Sequence, residues 1–391
     1  MRTLCIVFLS LWLALCSGAA AQDARETPAK QALIIEAVSG ATMLSKDADV
    51  PIPPGSLAKL MTLEIVFGKL EAGEVSLDDE FVISENAWRN GGAPSRTSAM
   101  FAELGSSVRL EDLIKGVAVQ AGNDGAIAIA EGIAGSELNF VKLMNARARE
   151  LRLDSATFAN PTGLPAAGQT VTLRDLVKLA RHVWERYPQY RYFFSLPEFT
   201  WNRIRQLNRN PLLSDEYGAK GMMTGYTDEA GYGLIAVITR RNETFYLGLA
   251  GLETTAERTE ESRRLTKWAL YTVTRQRLFE AGEILGSATV YGGSLTSVPV
   301  TVREPVFLFT PVTNRDQLSA EVVYDGPIAA PVEKDVEIGV LRVRLSDSII
   351  QEMPVFTAER VDVGSIHARA RDAVEELLTG WMRGWLQLFA G

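Results

Sequence analysis

Up to about residue 275, apolar residues recur along the chain with periods that distinguish strands from helices. Residues 31–38 are mostly apolar and are followed by Ser39 and Gly40, which predicts a strand that turns into a hairpin. Between residues 56 and 67 the apolar positions lie three and four apart, which predicts a helix that ends at Gly68. Further helices are predicted over 110–120, 125–133 (capped by Asp124), 136–151, 174–187 and 257–271, and buried strands over 234–238 and 245–249. Strands at both ends with helices between them indicate one α/β domain whose sheet contains both ends of this stretch.

The pattern changes after residue 275, where apolar residues alternate singly with other residues. This period of two is seen at Val298, Val300, Val302, Leu341, Val343 and Leu345. Alternation with one polar face is typical of a half-buried sheet. We therefore predict a small all-β domain over roughly residues 280–362.

The last residues carry one continuous apolar stripe at helical spacing. Its members are Ile366, Ala370, Val374, Leu377, Trp381, Trp385 and Leu388. Tryptophans on the apolar face are typical of a helix that lies in a membrane interface, so we predict an amphipathic, membrane-associating helix. The alternative is a helix that packs on its own protein or in an oligomer.

The first residues have the layout of a secretory signal peptide. Arg2 supplies a positive charge, an apolar run too short to span a bilayer comfortably follows, and small residues lead up to Ala21. We predict that residues 1–21 are a cleaved signal peptide; the alternative is an uncleaved membrane anchor. Both cysteines, Cys5 and Cys16, lie in this segment, so the mature protein is expected to have neither a disulfide nor a thiol nucleophile.

The composition argues against several classes of function. The 391 residues carry a formal net charge of -8, and nucleic acid is not expected as a partner because phosphate binding needs a basic face. The sequence has only two histidines, His182 and His367, and neither lies near a nucleophile-elbow motif. A metal site, a cofactor and a Ser-His-Asp triad are therefore not expected.

The candidate chemistry lies in the stretch from Pro53 to Lys59. Ser56 and Lys59 are three residues apart at a helix start, so their side chains share one face of the helix. A serine hydroxyl needs a base to take its proton, and a lysine is such a base if burial and nearby positive charge lower its pKa. The alternative is that Ser56 caps the helix and Lys59 is solvated. Two details argue against this alternative. A capping box has Glu or Gln where Lys59 stands. Leu60, which follows Lys59, indicates that this turn borders the core and not a charged face.

Residues 54–62 resemble the nucleophile segment of the low-molecular-mass penicillin-binding proteins, the serine-type D-Ala-D-Ala carboxypeptidases related to β-lactamases. Other segments resemble the same family, at 87–92, 117–124, 158–164, 208–213, 223–232 and 258–262. The resemblance implies an α/β (α+β) β-lactamase/transpeptidase-like domain, with an antiparallel sheet flanked by helices. A small all-β domain and a C-terminal amphipathic helix are expected to follow it. The expected boundaries are 22–274, 275–365 and 366–391.

In this family the serine attacks the amide between two D-alanines of a peptidoglycan stem peptide, and water hydrolyses the acyl enzyme. The resemblance implies an oxyanion hole made by the N–H groups of Ser56 and Tyr226. It also implies that Thr224 and Arg258 hold the substrate's carboxylate. The predicted catalytic residues are Ser56, Lys59 and Asn123, and the predicted substrate-binding residues are Thr224, Gly225, Tyr226 and Arg258.

Two positions depart from the family motifs. Ala121 stands where the Ser-x-Asn element has serine, which removes a hydroxyl that the family is thought to use in passing a proton to the leaving group. Met223 stands where the Lys-Thr-Gly element has lysine, which removes a charge that lowers the pKa of Lys59 and attracts the substrate. Lys220 is three residues from Met223, on the opposite face of a strand unless Gly221 breaks the pleat.

Three functions follow from an intact Ser56–Lys59 pair with two altered motifs. The first is a serine D-Ala-D-Ala carboxypeptidase, working or slowed, that acts on peptidoglycan pentapeptide and is acylated by β-lactams. The second is a catalytically inactive cell-wall-binding scaffold of the same fold, and the third is an acyl enzyme with another substrate. We expect the protein to be exported to the periplasm and attached to the outer face of the cytoplasmic membrane through its C-terminal helix.

Overall fold

The computed structural model describes residues 26–240, 243–271, 273–310, 318–345, 348–367 and 369–370. The predicted signal peptide and almost all of the predicted C-terminal helix lie outside these residues. Among the described residues, no helix combines the length and the apolar character needed to cross a bilayer.

In the described chain up to residue 271, a central sheet stands between helices. The strands are β1 (Gln31–Glu36), β2 (Thr42–Lys46), β3 (Pro51–Ile52), β4 (Glu80–Val82), β5 (Ser107–Arg109), β6 (Val171–Thr172), β7 (Glu198–Trp201), β8 (Ile204–Leu207), β9 (Ala219–Thr227), β10 (Gly231–Arg240) and β11 (Glu243–Leu252). The helices are α1 (Lys59–Glu71), α2 (Leu110–Gln120), α3 (Asn123–Ala134), α4 (Glu137–Glu150), α5 (Leu173–Arg186), α6 (Tyr192–Ser195) and α7 (Thr255–Tyr271). The helices and strands predicted from periodicity are confirmed, with differences at their ends.

The central sheet has five antiparallel strands in the order β2-β1-β11-β10-β9. The first strand of the chain therefore pairs with the last strand of the domain, as the sequence pattern indicated. Both faces of the sheet are covered, which explains why β10 and β11 are almost continuously apolar. Leu234 and Ala236 pack with Leu265 of α7 on one face, whereas Ile235 and Val237 join the core beneath α1, α2, α3 and α5 on the other. β9 is one of the two edge strands, and the candidate site lies along it.

Helix α1 continues three residues beyond its predicted end. Gly68 was expected to stop the helix, but α1 runs to Glu71. A Cβ at residue 68 would lie 3.4 Å from the hydroxyl of Tyr187, an ordinary van der Waals contact, so packing does not require glycine at this position. A glycine inside a helix costs roughly 0.5–1 kcal/mol relative to alanine and does not by itself end the helix.

The start of α3 also differs from the expectation. Asp124 was expected to cap this helix, but the helix begins one residue earlier, at Asn123, and its N-cap is Gly122. The Asp124 carboxylate instead accepts hydrogen bonds from the backbone N–H groups of Met100 (2.8 Å) and Ala102 (3.1 Å). The carboxylate therefore holds a neighbouring loop against the helix start.

From residue 274 the described chain is a β-rich domain. Its strands are β12 (Thr274–Phe279), β13 (Ile284–Tyr291), β14 (Ser297–Thr301), β15 (Val306–Thr310), β16 (Leu318–Tyr324), β17 (Ile328–Ala329), β18 (Glu337–Leu345) and β19 (Ser348–Thr357). Six of them form a sheet in the order β16-β18-β19-β14-β13-β17, and β12 pairs with β15. The alternating side chains of Val298, Val300 and Val343 are buried, which confirms the half-buried sheet.

Candidate active site

A cavity of about 1090 Å³ opens where the edge strand β9 passes the start of α1. Ser56 lies on its wall, with Asn123 from the start of α3 and Arg258 from α7. Thr224, Gly225 and Tyr226 of β9 also line it. The fold thus brings six of the seven predicted site residues to one cavity, and the seventh, Lys59, is in contact with Ser56 beneath it.

The Ser56–Lys59 pair has the geometry of a nucleophile and its base. Ser56 stands in a 3₁₀ turn over Gly55–Ala58, and Lys59 opens α1 directly behind it. The Lys59 Nζ atom lies 3.0 Å from Ser56 Oγ, within the reach that a general base requires. The capping alternative is wrong, because Ala58 is the N-cap of α1 and makes no side-chain cap. The solvated-lysine alternative is also wrong, because Lys59 has no exposed surface.

The environment of Lys59 favours its neutral form. Burial is the main cause that lowers its pKa to about 7, and the positive charge of Arg209 lowers it further, while Asp124 opposes the shift. A substantial fraction of Lys59 is therefore neutral near pH 7 and is able to accept a proton.

The loop over residues 158–164, noted only for its resemblance, fixes Lys59 from the other side. The Lys59 Nζ donates a hydrogen bond of 2.5 Å to the carbonyl oxygen of Thr162. Asn160 shapes this loop, since its Oδ1 accepts from the N–H groups of Thr162 and Gly163. Gly163 has φ +78°, and a Cβ there would lie 1.7 Å from the carbonyl oxygen of Gly55. Only glycine allows the loop to approach the nucleophile turn so closely.

Strand β9 approaches the same turn along the cavity. A Cβ on Gly225 would lie 3.3 Å from the backbone nitrogen of Ser56, and one on Gly55 would lie 3.8 Å from that of Tyr226. The two nitrogens predicted to form the oxyanion hole are therefore brought together by two glycines. Thr224 is almost fully buried at the same edge.

In the Asn123 side-chain amide, the nitrogen has a hydrogen-bond partner among the described residues and the oxygen has none. Its Nδ2 donates to the Thr97 hydroxyl at 2.9 Å, and its backbone N–H donates to the Ser98 carbonyl at 2.7 Å. Its buried Oδ1 has no hydrogen-bond partner among the described residues. A buried unpaired carbonyl oxygen is costly unless a ligand satisfies it, and a substrate N–H group would do so.

Arg258 also lines the cavity and is only 6% exposed. Its Nη2 donates to the carbonyl oxygen of Arg209 at 3.2 Å, and its Nε has no partner among the described residues. Among the described residues Arg258 makes no ion pair with its helix neighbours Glu260 and Glu261, and Glu261 binds Arg264 instead. Burial and the charge of Arg209 lower the pKa of Arg258. A bound anion would offset both effects.

The two altered motif positions contribute no polar atom to the cavity. Met223 is 1% exposed and belongs to the hydrophobic core, and Ala121 is buried in the left-handed region with φ +56°. The strand does bulge between the Met222 and Ala219 pairings, where Gly221 has φ +110°. Lys220 is nevertheless exposed and does not line the cavity, so it does not substitute for the missing lysine.

Sequence reasoning missed Arg209 as a member of the site. Its guanidinium lines the cavity and is one of the two charges that act on the pKa of Lys59. The sequence signal was the segment 208–213, which was noted for its resemblance but given no role.

The class of penicillin-binding proteins is defined by an α/β transpeptidase domain followed by a β-rich domain. The nucleophile turn lies at the edge of the sheet in the first domain. Residues 18–247 match the family described as D-alanyl-D-alanine carboxypeptidase, peptidase S11, and residues 274–363 match the Penicillin-binding protein 5 C-terminal domain. This chain belongs to the S11 D-alanyl-D-alanine carboxypeptidase family, which confirms the resemblance.

Individual relatives match between 62% and 94% of the chain. D-alanyl-D-alanine carboxypeptidase DacC of Escherichia coli is 32% identical over 94% of this chain and 93% of its own length. The crystal structure of penicillin binding protein 5 from Haemophilus influenzae matches 86% of this chain and 98% of its own, with 31% identity and a TM-score of 0.68. Penicillin-Binding Protein D2 from Listeria monocytogenes, solved in its ampicillin-bound form, matches 62% of this chain and 96% of its own, with 25% identity and a TM-score of 0.54.

Proposed function

We propose that this protein is a serine D-Ala-D-Ala carboxypeptidase that removes the terminal D-alanine from peptidoglycan stem peptides through an acyl enzyme on Ser56. The observation that carries the proposal is the 3.0 Å contact between Ser56 Oγ and a fully buried Lys59 whose pKa is about 7. Membership in the carboxypeptidase family supports the choice of substrate.

In the acylation step, neutral Lys59 accepts the hydroxyl proton while Ser56 Oγ attacks the carbonyl carbon between the two D-alanines. The N–H groups of Ser56 and Tyr226 stabilise the negative charge that develops on the carbonyl oxygen. The carbon–nitrogen bond then breaks, and the leaving D-alanine amine takes the proton from Lys59. In the second step Lys59 accepts a proton from water, which attacks the ester and regenerates the Ser56 hydroxyl.

The remaining predicted residues hold the peptide. Asn123 Oδ1, unpaired in the cavity wall, would accept the N–H of the substrate amide. Thr224 and Arg258 would bind the terminal carboxylate, with a charge-assisted hydrogen bond from the guanidinium. Gly225 would keep β9 close enough to Ser56 for both contacts.

One alternative also rests on specific residues. Met223 and Ala121 remove a charge and a hydroxyl that the family motifs contain, which favours a catalytically inactive cell-wall-binding scaffold of the same fold. An acyl enzyme with another substrate would retain β-lactam acylation without releasing D-alanine.

The test is D-alanine release from a synthetic pentapeptide that ends in D-Ala-D-Ala, measured for the wild type and for Ser56→Ala. We expect the wild type to release one D-alanine for each pentapeptide and the variant to release none. Wild-type protein that stays folded, binds the peptide and releases no D-alanine would favour the scaffold.

The cellular setting is part of the proposal. We place the signal peptide at residues 1–21, the catalytic domain at 22–274, the β-rich domain at 275–365 and a membrane-associating helix at 366–391. The mature protein would then act in the periplasm, attached to the outer face of the cytoplasmic membrane.

A further inference from the structure

A second cavity, of about 490 Å³, adjoins the catalytic one. The two share part of their walls, because Gly163, Pro165 and Thr227 line both. Pro53, which lies just before the nucleophile turn, lines the second cavity as well. This cavity therefore lies directly beside the reacting serine, and the proposed reaction steps leave it unused. We call it the side cavity.

The walls of the side cavity are neutral except at one residue. Of the described residues that line it, only Glu229 has a charged side chain. The polar amide of Gln169 is already engaged, since its Oε1 accepts from the Ala159 N–H at 3.1 Å and its Nε2 donates to the Leu164 carbonyl at 3.0 Å. A single carboxylate in a neutral, water-accessible cavity favours a cation as the ligand.

Glu229 lies in the turn that joins β9 to β10, and this turn is fixed from within. The Thr227 hydroxyl oxygen accepts a hydrogen bond of 3.0 Å from the backbone N–H of Ala230. The neighbouring carboxylate, that of Asp228, accepts a hydrogen bond of 2.6 Å from the Tyr226 hydroxyl. The carboxylate of Glu229 is exposed and has no hydrogen bond or ion pair within the part of the chain that the structure describes. Of the two carboxylates in the turn, Glu229 is thus the one available to a ligand.

The direction of the substrate places one of its side chains in the side cavity. In the proposed function the terminal carboxylate lies beside Thr224, and the reacting carbonyl lies beside the N–H of Tyr226. A peptide laid along the edge strand β9 advances about 3.3 Å per residue, in step with the strand. The residues that precede the reacting carbonyl must then lie beyond Tyr226, next to Thr227 and the turn that carries Glu229. The residue before the two D-alanines contributes the first side chain longer than a methyl group on this path.

We propose that the side cavity binds a primary ammonium group on the side chain of the residue that precedes the two D-alanines, and that Glu229 recognises its charge. This inference rests on the proposed function and narrows its substrate to stem peptides whose side-chain amine is free. An amine blocked in an amide bond carries no charge, so Glu229 gives such a peptide no advantage.

The test compares two peptides that differ only in that charge. Both end in Lys-D-Ala-D-Ala with the α-amine acetylated, and the lysine side chain is free in one and acetylated in the other. From D-alanine release, we expect kcat/KM of the wild type to be about two- to fivefold higher for the free amine, the range of an exposed ion pair. The preference should shrink in about 1 M salt, where charges are screened within about 3 Å.

Variants of one residue then separate recognition from structure. Glu229→Gln should lose the preference through a lower kcat/KM for the free-amine peptide alone, and Glu229→Lys should reverse it. Glu243→Gln is the matched control, because Glu243 is an exposed glutamate beside the next turn, at the opposite end of β10. It should keep the wild-type preference.

Three results would overturn the inference: a wild type without the preference, a Glu229→Gln variant that keeps it, or a variant that slows equally on both peptides. A wild type that releases D-alanine from neither peptide would refute the proposed function instead. The side cavity is then tested by calorimetric binding of both peptides to Ser56→Ala, which requires no reaction. Tighter binding of the free-amine peptide, lost in Ser56→Ala/Glu229→Gln, would support the inference, whereas equal binding or none would overturn it.

Discussion

Gly225 offers a sensitive test of how closely β9 must approach the nucleophile. A methyl group at residue 225 would lie 3.2 Å from the backbone nitrogen of Leu57 and 3.3 Å from that of Ser56. These contacts are tighter than ordinary van der Waals distances, so Gly225→Ala requires the strand or the turn to shift by a few tenths of an ångström.

Such a shift would displace the two backbone N–H groups, of Ser56 and Tyr226, that are proposed to form the oxyanion hole. Complete loss of one such donor costs about 10²–10³-fold in rate, and partial misplacement should cost less. We expect Gly225→Ala to lower the β-lactam acylation rate constant by about 10- to 100-fold. The cost in stability should be about 1–3 kcal/mol, as for other overpacked sites.

The assay is stopped-flow or gel-based acylation, with thermal unfolding measured in parallel. Gly286→Ala is the matched control, since Gly286 also lies in an antiparallel strand, β13, and a Cβ there would meet nothing within 4 Å. Acylation by Gly225→Ala within twofold of the wild-type rate would refute the proposed oxyanion hole.

Three further predictions follow from the site and its support. The acylation rate of the wild type should rise with pH and level off above about pH 7, because Lys59 acts in its neutral form; a flat profile between pH 5.5 and 8.5 would exclude Lys59 as the base. Arg258→Gln should lower kcat/KM for D-Ala-D-Ala peptides by about 10- to 100-fold, which is the value of one charge-assisted hydrogen bond. The effect should be smaller on peptides that end in an amide, and equal losses on both substrates would contradict carboxylate binding. Glu64 is buried in α1, and although burial raises its pKa, hydrogen bonds from His182 and Arg147 lower it overall. Its stabilising contribution should therefore be present above the unfolded pKa and disappear as the pH falls through the lower folded pKa. Denaturant unfolding should show that Glu64→Gln costs about 2–4 kcal/mol at pH 7 and much less in acid, whereas an equal cost at both pH values would contradict the ion pairs.

Local sequence spacing was enough to find the parts of the site that are built from one element. Ser56 and Lys59 lie one turn apart at a helix start, and apolar strands at both ends of the domain with helices between them indicated the sheet. These features depend on period and short-range geometry, which the sequence displays directly.

The contacts that tune the site are long-range or belong to the backbone. The Thr162 carbonyl that holds Lys59 is 103 residues away in sequence, and a backbone carbonyl leaves no mark on residue type. Arg209 joins Gln120 across 89 residues, so its place in the cavity wall follows from the fold and not from spacing. Gly68 misled the prediction because a glycine inside a helix and a glycine that ends one are identical in sequence.

The central claim is that Ser56 remains an activated nucleophile despite Met223 and Ala121. The measurement that tests it most directly is labelling of the purified protein with a fluorescent penicillin, beside Ser56→Ala, followed by mass mapping of the adduct. We expect a stable adduct on the wild type, located on the peptide that contains Ser56, and none on the variant. A folded wild type that acquires no adduct on long incubation, or a Ser56→Ala variant that is labelled as well as the wild type, would contradict it.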